Sequence, residues 1–114
     1  MMDEQIDWQH RASMALDSAI ASRHLVSYIE LAAVAQIPPP HRIHKLTMWL
    51  EALVADDHKS AKPLRASWVI SNKRGKIPAP GFFVKCHEIG LYDGPAKGKK
   101  AEAFHRMLLD QHKT

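Results

Sequence analysis

The chain has 114 residues, of which 46% are hydrophobic and 25% charged, the balance of one soluble globular domain over residues 1–114 rather than of a disordered or fibrous chain. No stretch approaches the roughly 18 apolar residues of a membrane span, and the acidic start MMDEQIDWQH has neither the apolar run of a signal peptide nor a transit-peptide composition, so no membrane is expected and cytoplasm is the expected location. The single cysteine, Cys86, excludes an intrachain disulfide, and the net charge of +4 permits a polyanionic partner without requiring one.

The first helix is expected from about Asp3 to Ser22. Trp8, Ala12, Ala15, Leu16 and Ala19 recur at three- and four-residue steps and mark one apolar face, which Ile6 and Ile20 extend. The second helix has a start signal. In SYIE, Ser27 can accept from the amide three residues on, and Glu30 can reach back to the amide of Ser27. It must be short, because Pro38, Pro39 and Pro40 cannot continue it.

A third helix is predicted from near Pro40 to near His58, with Ile43, Leu46, Leu50, Leu53 and Val54 as its buried stripe. LRASWVIS, Leu64 to Ser71, alternates well enough to predict a strand. NKRGK, Asn72 to Lys76, follows as a turn with three cations. Pro78 and Pro80 restrict any return strand to a very short one. PGFFVKCHEIG predicts a short helix with Phe82, Phe83, Cys86 and Ile89 on one face and Gly90 as its C-terminal cap. LYDGPAKGKK is a loop, and AEAFHRMLLDQH a last helix with Phe104, Met107 and Leu108 inward.

Charge is unevenly distributed. Residues 1–40 contain Arg11 and Arg23 against five acids, whereas residues 41–76 contain eight Lys and Arg against three. The third helix opens with His41, Arg42, His44 and Lys45 and closes with Asp56 and Asp57. That order opposes the helix dipole, whose N-terminus is the positive end. An anionic partner would account for it. If Arg42 and Lys45 serve only that partner, changing both to glutamate leaves the fold intact or slightly more stable.

Helix, short capped helix, proline turn, third helix, strand, basic turn is the order of a winged helix-turn-helix, in which the third helix enters the major groove by its N-terminal residues. The expected fold class is therefore mainly α with a small β-hairpin, an α+β domain of winged-helix type. VSYIELAAVAQIPPPHRIHKL resembles the helix-turn-helix of the alkyltransferase and alkyltransferase-like DNA-repair family, and WVIS with LYDGPAKGKK is similar to the tail of that domain. The likeness spans about two-thirds of the chain and implies a DNA-binding helix-turn-helix. The methyl-transferring members carry a Pro-Cys-His-Arg motif just before a Val-Val strand. Here no cysteine stands at that point, and Ile29 follows Tyr28 where the family has glycine. The shape carries over and the chemistry does not. GKIPAPGFF is also similar to small bacterial proteins, a likeness that implies no activity.

Other chemistry reads weakly. Cys86 and His87 are adjacent on a helix and diverge by about 100°, so they do not make a nucleophile and base. His41 and His44 lie three apart, but zinc would need two further ligands at a recognised spacing. There is no Gly-rich phosphate loop and no carboxylate pair, so neither an enzyme nor a cofactor is expected. The sequence thus points to non-catalytic binding of double-stranded DNA. Arg42, His44, Lys45 and Met48 would face the groove, with Lys73, Arg74 and Lys76 on phosphate. The alternative is a protein-interaction module anchored by Trp49 or by Phe82 and Phe83, and Trp49 also marks a candidate homodimer contact.

Overall fold

In a computed structural model, residues 4–112 are described, with side chains from Asp7 onward. The expected helix start at Asp3 and the Ile6 side chain lie outside the described residues. The first helix, α1, spans Glu4–Ala21. It buries Trp8, Ala12 and Leu16, the four-residue steps of its apolar face.

The strand β1, Val26–Ser27, runs directly into α2, Tyr28–Ala35. The junction is the capping box. The Glu30 amide donates to Ser27 Oγ at 3.0 Å, and the Ser27 amide donates to a Glu30 carboxylate oxygen at 3.0 Å. Two amides that the helix cannot use are thereby satisfied. At its other end Gln36 turns left-handed (φ 55°), and its amide donates to Ala32 and Ala33 carbonyls. The prolines follow, with a cis bond between Pro39 and Pro40.

Next comes α3, Arg42–Lys59. It starts two residues later than expected, because His41 takes a left-handed conformation (φ 61°) and helical geometry begins only after it. Leu46, Leu50, Leu53 and Val54 are buried as expected, but Ile43 is 42% exposed. The apolar repeat continues into a first turn that extends beyond the core.

The expected strand Leu64 to Ser71 is mostly a 3-10 turn, Arg65–Trp68, followed by a two-residue strand β2, Val69–Ile70. Two hydrogen bonds hold the turn, one to the preceding helix and one within the turn. The Arg65 amide donates to the Asp57 carboxylate at 3.0 Å, and Ser67 Oγ donates to the Leu64 carbonyl at 2.7 Å. Alternation could not distinguish turn from strand, because Ala66 through Ile70 are all buried whichever way they point.

The predicted β-hairpin is also corrected. β2 pairs in parallel with β1, Val26 opposite Val69 and Ser27 opposite Ile70. Around the cationic turn only one antiparallel bridge forms, Ser71 to Ile77. Pro78, which has no amide to donate, follows it immediately. The described chain is therefore mainly helical with a small two-stranded parallel sheet.

The helix α4 spans Pro80–Glu88 and buries Phe82, Phe83 and Cys86. Gly90 (φ 79°) turns the chain left-handed, and the Leu91 amide reaches the Cys86 carbonyl at 2.8 Å, the long bond of a Schellman ending. The last helix, α5, is Lys99–Asp110. Its inward residues are Ala101, His105 and Leu108 with Phe104 half-buried, while Met107, expected inward, is 48% exposed. No helix among the described residues is long and apolar enough to cross a membrane.

Candidate nucleic-acid interface

The reversed charge of α3 has partners inside the molecule. Arg42 Nε donates to the Ile37 carbonyl at 2.9 Å, and Lys45 Nζ donates to the Pro38 carbonyl at 2.9 Å. From α1, Arg11 Nε donates to the Ala35 carbonyl at 2.6 Å. The last carbonyls of a helix carry the negative end of its dipole and lack intrahelical donors. Three cations thus converge on the end of α2 and the turn beyond it. The dipole that matters for Arg42 and Lys45 is that of the preceding helix as well as their own.

His44, Lys45 and Met48 lie on one side of α3. They line an open cleft of about 570 Å³ with Trp8 and Gln9 of α1 and with Trp49 and Asp56. Trp8 and Trp49 meet edge to face there, 6.0 Å between ring centroids. Trp49 is half-buried in that contact.

A second cleft, about 330 Å³ and largely apolar, lies on the other side of α3. It is bounded by Tyr28 and Ile29 at the start of α2, by Ile43 and Thr47 on α3, and by Asn72 and Lys73 of the cationic turn. Ile29 is 71% exposed on its rim. Tyr28 is buried beneath, accepting from the Ala79 amide at 2.9 Å, and burial raises its hydroxyl pKa.

The residues predicted as a site therefore fall into four settings. Lys73 joins the first turns of α3 across the apolar cleft. His44, Lys45 and Met48 sit together in the cleft against α1. Arg42, Lys45 and Arg74 donate to backbone carbonyls, Arg74 from Nε to Pro78 at 3.1 Å and from a terminal nitrogen to Ala96. Lys76 is exposed in a left-handed conformation (φ 64°). Ile29, Ile43 and Thr47 were not predicted for this face. The only signal for Ile29 was an apolar residue at an outward position of a capped helix, and Ile43 was masked by its fit to the buried stripe.

Cys86 is fully buried, and burial pushes its thiol up to about 12. His87 is exposed, with Nδ1 3.2 Å from the Tyr92 carbonyl, so the two side chains diverge as their spacing implies. Among the described residues no three His, Cys, Asp or Glu side chains group closely enough to hold a metal ion. Phe82 and Phe83, candidate anchors for a protein partner, are 4% and 2% exposed. Compared with protein-family profiles, curated proteins and solved structures, the chain matches none.

Proposed function

We propose that this chain is a non-catalytic module that binds double-stranded DNA. The first turns of α3 meet the groove and the turn 72–76 lies on phosphate, in the manner of a winged helix-turn-helix. One observation carries the reading: Lys73 of the turn and Ile43 and Thr47 of α3 border the same open cleft. The cationic turn and the first turns of α3, distant in sequence, thus border one cleft, as binding across a backbone and into a groove requires, while His44 and Lys45 line the opposite side of the helix. The order α1, α2, tight turn, α3 and the likeness of residues 26–46 to a DNA-repair helix-turn-helix point the same way. The buried thiol of Cys86 argues against transfer chemistry.

A protein-interaction module is the second reading. The exposed Ile29 and Ile43 favour it, because a partner could seat on the apolar cleft. Phe82 and Phe83 are too buried to anchor one, whereas Trp49 is half-buried on the cleft against α1.

A fluorescence-anisotropy titration against a random-sequence duplex at two salt concentrations separates the readings. Binding is expected at low salt and should weaken steeply as salt rises. Ile43→Glu places a negative charge on the exposed end of α3 and should remove binding while the fold persists. No binding by the parent at low salt would overturn the DNA reading, and undiminished binding by the variant would overturn the placement of α3 in the groove.

A further inference from the structure

Arg74 is the central cation of the turn 72–76, yet it is half-buried and its guanidinium is engaged within the molecule. One bond, to Pro78, closes its own turn, and the other crosses 22 residues of chain to the Ala96 carbonyl. Ala96 is followed by Lys97, Gly98, Lys99 and Lys100. The contact therefore holds one lysine-bearing segment beside another. The receiving loop is itself anchored. Tyr92 stacks on Phe104 with 4.4 Å between centroids, and its hydroxyl donates to the Pro95 carbonyl at 2.7 Å.

The lysines of the two segments differ in how they are engaged. Lys100 donates to the Asp93 carbonyl and lies 5.9 Å from the Tyr92 ring centroid. Lys73, Lys76, Lys97 and Lys99 are exposed, and their side chains have no hydrogen bond or ion pair among the described residues. No carboxylate falls within residues 71–77 or 95–100.

We propose that Arg74 is a positioning residue rather than a phosphate ligand, and that it assembles a cationic surface in two segments, Lys73 and Lys76 with Lys97 and Lys99, that follows the phosphate backbone of duplex DNA. The inference rests on the DNA-binding reading and extends it to a loop outside the winged-helix elements. Flexible ammonium groups on separate segments suit a linear polyanion, on which each neutralises one phosphate. A small anion would need donors converging on one point, and these lysines are spread over two segments of chain.

The test is the salt dependence of binding to a labelled random duplex. The parent is compared with Lys97→Gln/Lys99→Gln, Lys73→Gln/Lys76→Gln and Arg74→Lys, each checked for folding by thermal melting. The log–log slope falls by about 0.9 for each phosphate that is no longer neutralised. Each lysine-pair variant should therefore be shallower than the parent by about 1.8. Arg74→Lys keeps the charge but not the two-carbonyl fork, so it should lose the contribution of Lys97 and Lys99. A parental slope in Lys97→Gln/Lys99→Gln overturns the second segment. If that variant loses slope and Arg74→Lys does not, Arg74 has no positioning role. Failure of the parent to bind at low salt overturns the DNA reading and this inference together, whereas parental binding with an unchanged slope overturns the inference alone.

Discussion

Asp57 is 2% exposed near the end of α3. Both of its carboxylate oxygens accept from Arg65, the closest approach being 2.9 Å from a terminal nitrogen, and the Arg65 amide adds a third donor. The two partners are not equivalent, because the Arg65 side chain is 33% exposed. Without Asp57 the guanidinium can rehydrate. Without Arg65 a carboxylate is left in the interior, which typically costs about 3–5 kcal/mol. Arg65→Met should therefore lower the unfolding free energy by several times as much as Asp57→Asn, measured by urea denaturation at constant m-value. Equal losses would show that the buried charge is not the dominant cost. Composition and periodicity could not reveal this pair. Asp57 reads as an acid on a solvated helix end, and Arg65 as one of eight cations in its stretch. Cys86 was legible, because its neighbours Phe82 and Ile89 already defined an inward face.

Among the elements, the legible features were those decided within a few residues. The capping box of α2 formed as Ser27 and Glu30 indicated, and α1 buried the face its spacing marked. Elements that depend on distant partners were not legible. β2 takes its pairing from β1 on the far side of two helices, and the 3-10 turn before it is held by Asp57. The cations of α3 were not legible either, because their carbonyl partners, five and seven residues back, are brought within reach only by the fold of the proline turn. This corrects the expectation that glutamate at positions 42 and 45 would leave the fold intact. Each bond from a charged donor contributes on the order of 1.5 kcal/mol, less where water competes. Arg42→Glu/Lys45→Glu should then destabilise the protein by about 1–3 kcal/mol, read as a lowered denaturation midpoint. A midpoint at or above that of the parent would mean that the carbonyl bonds contribute nothing.

Across the whole molecule, the C-terminal part is tied to the rest by histidines. His105 Nε2 lies 2.7 Å from the Ser67 carbonyl, and His112 Nε2 lies 3.0 Å from that of Leu64. Both therefore hold the same 3-10 turn. Burial depresses both pKa values below the ordinary 6.5, against the opposing pull of those carbonyls. The unfolded chain then takes up protons more readily than the folded one. Stability is fully present above about pH 6.5 and is lost as pH falls through that value toward the depressed folded pKa values. His105→Gln keeps an N–H donor but cannot titrate. Its melting temperature should decline less steeply than that of the parent between pH 7 and 5, by roughly half if the two histidines contribute equally. Identical pH profiles would show that His105 is not a source of the acid sensitivity.

Ser27 is both the last residue of β1 and the N-cap of α2, so strand and helix share a residue and have no linker between them. Chain length is therefore fixed at this point. One residue inserted between Ser27 and Tyr28 would turn every side chain of α2 by about 100° relative to the strand, moving Leu31 and Ala35 off the core and breaking the reciprocal bonds with Glu30. Length variation among natural or engineered versions of this chain should be excluded at 27–28 and confined to segments that lie between elements.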